Sequence, residues 1–431
     1  MTRPPATHPS VILSDDDRAD LDGSRGAAAQ WAMKLVLKVA QSLGAPRLVS
    51  IGQAHLVGAY HSGPANLAFL CKLVSQGARV RVPTTLNSSS ADLTSGALPC
   101  YAGRDRDQAR AVVDSLSKMG CRATLTCAPY LLSGAPRFGE NIAWAESNAV
   151  LFANSVIGAR SLKCSQYLDL ACALSGRTPY AEVMMDKGRQ PALIVDVEHL
   201  SARWFDDRVG FQFVGFATGA AADTRISFLR GLPRGLDWTA LQALCAAAGV
   251  SGSMAMLHVE GSTPEAGVPE ATLDRCDIVR LDDQDLVTIA KQWRPSQDIR
   301  PVAVCVGAPH AGIEELTEIA STLERHADSV RLPFVVSVGR GLYADARLHA
   351  VFERLRSGGV TLVRDTCTYY GPLFGGTTGH VLTNSVKWAA YAAAGMRCTP
   401  VIATLGECVD AALRASYTVD RAYWNATFSR H

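Results

Sequence analysis

With 431 residues the chain is longer than one compact core allows, so two or three sub-domains are expected. Hydrophobic residues at 48% and charged residues at 19% exclude a disordered chain, and 42 basic against 40 acidic side chains give a nucleic acid or an acidic membrane no electrostatic purchase. No apolar run is long enough to span a bilayer, and the opening MTRPPATHPS lacks the apolar core of a signal peptide, so a cytoplasmic location is expected.

Residues 1 to 12 read as a loose tail. Ser14 before three aspartates is a helix start, with acid at the positive end of the dipole. Ala28, Trp31, Ala32, Leu35, Val36, Val39 and Leu43 recur at helical spacing, and Gly44 and Pro46 end that helix. Arg47 to Ile51 reads as a strand, Asn66 to Gln76 as a helix and Arg79 to Val82 as a strand, with Pro83 to Leu93 a polar loop. Asp107 to Met119 follows as a helix and Arg122 to Thr126 as a strand that delivers Cys127. Strands are predicted at Ala192–Val197, Met254–Val259, Pro301–Val306, Pro333–Val338 and Val360–Val363. Helices are predicted at Trp238–Ala248, Glu314–His326 and Ala344–Arg356. This alternation implies an α/β fold with mostly parallel sheets, whose ligands collect at the carboxyl ends of strands. A sub-domain boundary is expected near residues 185 to 205, where MMDKGRQP interrupts the pattern, leaving 13 to 431 as the folded region.

Familiar phosphate and hydrolase signatures are missing: GxxxxGK[ST], GxGxxG after a strand, GxSxG and HExxH. The 12 cysteines contain no CxxC pair, so most read as small buried hydrophobes in a reducing compartment, while a few could meet in space as iron ligands. The stretch from Cys127 to Arg160 is the densest in chemistry: Glu146, Ser147, Asn148, Asn154 and Arg160 sit beside Val150, Leu151 and Phe152. Buried polar groups must either satisfy one another or await a polar ligand. Thr84, Thr85 and Asn87 lie in a hydroxyl-rich loop that turn chemistry would explain equally well. His310, in Val306–Leu316, stands between a strand and a helix start, where free N–H groups could meet an anion. Asp365–Cys367 follows a strand, and Thr383–Tyr391 opens a helix with Asn384, Ser385 and Lys387, each explicable alone as a cap or a solvated charge.

Taken together these pieces resemble the large, catalytic part of aconitase X. The matching segments are LDG at 21–23, Ala54–His55, VPTTLN at 82–87, CAPY at 127–130, GENIAWAESNAV at 139–150 and FANSVIGAR at 152–160. They continue with GRTPY at 176–180, GAPH at 307–310, DTC at 365–367 and TNSVKWAAYAAA at 383–394, in family order over nearly the whole chain. The resemblance implies several layered α/β sub-domains around a cleft, as in the aconitase superfamily, and an iron–sulfur-dependent hydro-lyase. One form of the family dehydrates cis-3-hydroxy-L-proline to a pyrroline-2-carboxylate, the other mevalonate 5-phosphate. It further implies Cys127 and Cys367 as cluster ligands, and Lys387, His55 and Ser385 as catalytic residues. Thr84, Thr85, Asn87, Glu146, Ser147, Asn148, Asn154, Arg160, His310 and Asn384 are implied to bind a small-molecule carboxylate. A small swivelling domain, here expected as a separate subunit because the resemblance takes up the chain from about Leu21 to Ala412, carries the serine thought to act as base.

Two departures bear on these expectations. Ala308 stands where the family often has a cysteine, which leaves two thiolates and suits a small cluster such as 2Fe-2S. The family's GLHLDENR appears as AEVMMDKGR, with Arg189 retained. The first reading is therefore the hydroxyproline enzyme, the second the mevalonate 5-phosphate enzyme, and the third a silent scaffold subunit without a cluster. The two cysteine sulfurs are expected within about 10 Å of each other. Asn87, Glu146, Asn148, Asn154, Arg160 and Lys387 are expected to converge on one cleft.

Overall fold

Ser14 caps the first helix, Asp15–Asp22, by accepting from the Asp17 amide, while the Asp17 side chain accepts in return from the Ser14 amide. The structure is a computed structural model and describes residues 10–94, 104–326, 329–370 and 378–419. Residues 1–9, most of the expected tail, lie outside the described residues; its end is not loose, because Ile12 pairs with Arg47 and Val11 packs against the core. The helix Ala27–Ser42 buries Ala28, Ala32, Met33, Val36 and Ala40. Its sequence stripe is thus rotated in the fold, and Trp31, Leu35 and Val39 are left along one edge of an apolar groove.

The mixed α/β architecture with parallel sheets matches the sequence reading. Strands Thr84–Leu86, Gln53–Leu56 and Ile142–Trp144, in that spatial order, make one parallel sheet. Leu257–Val259, Ser227–Arg230, Leu193–Asp196 and Asp277–Arg280 make another. Val360–Arg364, Phe334–Val338, Ala303–Val306, His380–Thr383 and Thr399–Ile402 make the third. The order of this last sheet reverses between Ala303–Val306 and His380–Thr383, creating the kind of crevice in which α/β sheets bind ligands. No helix among the described residues is long and apolar enough to cross a membrane.

Several predicted elements are corrected. Residues 79–82 are not a strand; Arg81 instead holds Asp20 with two hydrogen bonds of 2.7 Å, and the strand falls on Thr84–Leu86, inside the predicted loop. Residues 122–126 are not a strand either: Arg122 makes one bridge to Thr85, and Leu125 then adopts a φ of +43°, which extended pairing does not allow. Cys127 is therefore delivered by an irregular segment. Met254–Val259 contracts to Leu257–Val259, and the helix expected from Ala344 splits into Ala346–Leu348, a 3-10 turn, and His349–Ser357.

Helices Arg208–Ala222 and Trp238–Ser251 pack backbone to backbone over the second sheet. A Cβ on Gly215 would lie 2.2 Å from the Leu244 carbonyl oxygen, so only glycine fits there. Gly215→Ala is expected to lower stability by about 1–3 kcal/mol, read from the urea midpoint. Gly267→Ala, with no atom within 4 Å of its new methyl, is expected to stay within about 0.5 kcal/mol of the parent. Equal shifts in the two variants would contradict this packing argument.

Candidate functional site

Two parallel sheets aim their carboxyl ends at one buried region. The three-stranded sheet delivers Asn87 and Ser88 after Thr84–Leu86, and Glu146 after Ile142–Trp144. The five-stranded sheet delivers His310 after Ala303–Val306, Cys367 after Val360–Arg364 and Lys387 after His380–Thr383. Cys127 sits between them on its irregular segment.

The sulfurs of Cys127 and Cys367 lie 3.8 Å apart although 240 positions separate them. Both are buried, and no disulfide joins them. Contact with the Cys367 sulfur, together with burial, pushes the Cys127 thiol up; the same contact, helped by Ser88 and Lys387, holds Cys367 below the ordinary thiol range despite its burial. The loop that carries Cys367 is anchored by Asp365, which forms an ion pair with Arg340 and accepts from the Leu93 amide at 3.2 Å and the Thr94 hydroxyl at 2.9 Å. Ser88 Oγ is 3.6 Å from Cys367 Sγ and 3.5 Å from the Tyr370 hydroxyl. The His310 amide donates to Cys127 Sγ at 3.2 Å. Cys127, His310 and Cys367 form a group whose donor atoms all lie within 4.8 Å of one another, a set able to hold a metal ion.

Beside the sulfurs lies a buried ion pair, Lys387 with Glu146. Glu146 caps the helix Ser147–Phe152 by accepting from the Ala149 amide at 2.9 Å, and it also takes a hydrogen bond from Asn148. Asn148 donates to the Cys127 carbonyl at 3.0 Å and accepts from the Tyr130 hydroxyl at 2.8 Å. Burial alone would push the Lys387 ammonium down, but Glu146, Tyr391 and Cys127 outweigh it and hold its pKa above the ordinary lysine value.

The remaining expected residues fall into place individually. His55 and Thr85 pair across strands, with Nδ1 2.8 Å from the Thr85 hydroxyl; burial pushes the imidazole down to about 3, so the ring is neutral, and its Nε2 has no partner. Thr84 donates to the Val82 carbonyl at 2.8 Å. Ser147 is the half-buried first residue of the helix capped by Glu146. Ser385 caps the helix Val386–Gly395 and its hydroxyl donates to the Ala308 carbonyl, locking one loop to the other. Asn384 donates to Glu315 at 2.7 Å. His310 was expected at an anion near a helix start; it faces the sulfurs instead, with Nε2 3.6 Å from Cys367 Sγ, because the helix begins three residues on, at Ile313.

Convergence on one cleft is corrected for two residues. Asn154 spends both amide donors on the carbonyls of Ser161 and Ala255, at 2.9 and 2.8 Å, and its oxygen on the Ser161 amide. Arg160 reaches the Met184 carbonyl at 2.9 Å and pairs with Asp186. Together with Arg189, which donates to the Asn154 carbonyl at 2.8 Å, they brace residues 182–189, the segment where the sequence departs from the family.

Sequence reasoning missed a small hollow of about 40 Å³ reached from the Ala308–Pro309 loop. Its lining includes Arg208, Gln212, Gln242, Glu315, Asn384 and Ser385, with Arg208 and Glu315 3.6 Å apart. Gln242 was detectable, as a lone polar residue in an apolar helical run; Arg208 carried no signal, because an arginine at a helix start is ordinarily solvated.

Family models described as the aconitase X first, second and third domains match residues 10–187, 191–291 and 301–414. Over 416 residues the chain is 35% identical to the cis-3-hydroxy-L-proline dehydratase of Hypocrea jecorina, taking in 94% of this chain and 69% of that protein. The chain belongs to the aconitase X family. Its aconitase X relatives also include the cis-3-hydroxy-L-proline dehydratase of Pseudomonas aeruginosa, 36% identical over 95% of this chain and 71% of that protein. The phosphomevalonate dehydratase large subunit of Thermococcus kodakarensis is 32% identical over 88% of this chain and 95% of that protein. A crystal structure of Thermococcus kodakaraensis aconitase X in its holo-form superposes with a TM-score of 0.84 at 29% identity, over 93% of this chain and all of that one. Within this aconitase X chain, Cys127 comes from the first-domain match and His310, Cys367 and Lys387 from the third, so the site is built where those two regions meet.

Because the Lys387 pKa is raised on folding, its contribution is fully present below the unfolded lysine value of about 10.4 and is lost only as pH rises through the higher folded value. Lys387 should therefore add no pH dependence to stability between about pH 6 and 9. Lys387→Met, which strands a buried carboxylate, is expected to cost about 3–5 kcal/mol in urea unfolding. The double variant Glu146→Gln/Lys387→Met should recover part of that loss. Losses that simply add would show the two side chains to be energetically independent.

Proposed function

We propose that this chain is the catalytic chain of a hydro-lyase that removes water from cis-3-hydroxy-L-proline to give a pyrroline-2-carboxylate, in company with a separate small subunit. The observation that carries the reaction class is the pair of buried, unbridged sulfurs 3.8 Å apart beside a buried ammonium, in a family whose compared members are named dehydratases. Thiols in this arrangement fit an iron–sulfur cluster: they are shielded from solvent, their sulfurs lie 3.8 Å apart, and Cys127 and Cys367 would be its ligands. When bound, such a group supplies the Lewis acidity that a poor leaving group such as hydroxide requires.

The chain's own residues account for the rest. Dehydration of the hydroxy acid removes a proton next to a carboxylate, so negative charge builds up on that carboxylate as the hydroxyl departs. Lys387, kept charged by Glu146, and the amide groups of Asn87 and Asn384 are the donors available to stabilise it. Glu146 in turn is held in place by Asn148 and the Ala149 amide, so the ammonium is oriented before substrate arrives. His55 and Thr85 act as a neutral pair that can accept or donate a hydrogen bond without carrying charge. The base that takes the proton is assigned to the small subunit. That subunit is supported by relatives named large subunits, with 95% of the Thermococcus chain taken in by the match.

The choice of substrate rests on charge. The hollow beside Ala308 sets one guanidinium, Arg208, against one carboxylate, Glu315, a balanced charge that suits an amino acid zwitterion better than a dianion. A neighbouring hollow that shares Arg208 is lined by Asp206, Asp207 and Glu318, and burial raises the Asp207 carboxyl. A phosphate dianion would meet this acidic surroundings with a single arginine, itself engaged. The relatives point the same way, at 35% and 36% identity for the hydroxyproline enzymes against 32% for the phosphomevalonate one.

The test is anaerobic purification with the small subunit, followed by assays of both substrates. Turnover of cis-3-hydroxy-L-proline and not of mevalonate 5-phosphate is expected, with Cys127→Ser and Cys367→Ser each bleaching the iron absorption. Omitting the small subunit should slow turnover by about 10²–10⁴, the range of a general base. Turnover of mevalonate 5-phosphate alone would overturn the substrate, and full activity from this chain alone would overturn the division of labour.

A further inference from the structure

We propose that His310 is the third protein ligand of the cluster, so that the iron site is held by two thiolates and one imidazole. This rests on the reading that Cys127 and Cys367 hold an iron–sulfur cluster. A third thiolate has no source nearby. Position 308 is alanine, and among the described residues the only donors gathered within 4.8 Å are Cys127, Cys367 and His310. Cys305, two residues after the start of its strand, belongs to the hydrophobic core, where burial pushes its thiol up against a hydrogen bond from Thr368.

The chain is folded so as to bring the imidazole in. Gly307, at a φ of +97°, turns the backbone where a Cβ would lie 2.4 Å from the Ser337 carbonyl oxygen, and the loop then runs under Cys127, with the His310 amide on its sulfur. The ring is 2% exposed. Its Nε2 is 3.1 Å from the Thr366 carbonyl oxygen and 3.6 Å from Cys367 Sγ, and its Nδ1 has no partner. A neutral imidazole carries one N–H and one lone pair. With the proton on Nε2, the Thr366 carbonyl takes it and the lone pair on Nδ1 is unanswered. With the proton on Nδ1, the lone pair on Nε2 faces Cys367, whose sulfur has no proton to give once it is a metal ligand. In either tautomer a buried lone pair is left over, an uncompensated desolvation that a metal ion would remove.

Exchanging a thiolate for a neutral imidazole makes the site one negative charge poorer, which raises its reduction potential. Iron content, visible spectrum and midpoint potential of the anaerobically purified chain test this in wild type, His310→Ala and His310→Cys. Wild type is expected to hold iron, His310→Ala to lose most of it, and His310→Cys to keep it with an altered spectrum and a lower potential. Pulsed EPR of the reduced wild-type protein should show a nitrogen coupling that changes on labelling with ¹⁵N-histidine and is absent in His310→Cys. Unchanged iron, spectrum and potential in His310→Cys would overturn the proposal even if His310→Ala failed to fold. A wild-type chain that holds no iron, with its two thiols intact, would instead overturn the cluster reading, and the ligand assignment would fall with it.

Discussion

A charge buried away from water must be paired, and in this chain the pairing of Lys387 with Glu146 joins two regions 241 positions apart. Neither side chain is tolerable alone: one opens a helix of the five-stranded sheet's region, the other caps the first helix after the three-stranded sheet. Meeting here, they bring together the carboxyl ends of both sheets. The same contact sets the chemistry of the sulfurs, because the ammonium it keeps charged lowers the cost of a thiolate at Cys367. Packing follows from it. Val386 and Ala389, flanking Lys387, belong to the core under the helix Ser147–Phe152, whereas Trp388 turns to the other core and donates to Thr368, one residue beyond Cys367.

Polarity in this protein is layered by function. Asn154, Arg160 and Arg189 are polar groups inside an apolar region, and every one is satisfied by a carbonyl or a carboxylate of the chain itself. Around the sulfurs the accounting does not close: His310 and His55 each keep a nitrogen with no partner. Open buried atoms also occur elsewhere, at Thr178, Ser227 and His258 among others, so what sets His310 apart is its place beside two thiols. The Arg208–Glu315 pair adds the complementary feature, a polar hollow with balanced charge that opens from the same loop.

Much of this was legible in the residues. The long strands of the third sheet announced themselves as apolar runs, and loops such as Gly307–His310 and Asp365–Cys367 were placed after them for that reason. Short strands were not legible: Thr84–Leu86 and Ile142–Trp144 have three residues each, too few for a period, and the first hides behind Pro83 in a run rich in hydroxyls. The predicted strand before Cys127 failed because Leu125 takes a left-handed conformation that no residue type there advertises. Asparagines and arginines of one stretch could not be sorted from sequence, since Asn148 and Asn154 differ only in which carbonyls the fold puts beside them. Arg208 was invisible for a related reason: its partner, Glu315, is distant in sequence and is brought near only by the tertiary fold.

The central claim is that residues from two regions of the chain close on one iron site. Diffraction from crystals grown without oxygen, recorded on either side of the iron absorption edge, tests it most directly. The account predicts a single strong anomalous peak in contact with the sulfurs of Cys127 and Cys367. Iron bound elsewhere, or the two sulfurs well ordered with no anomalous peak between them in protein shown to contain iron, would contradict it.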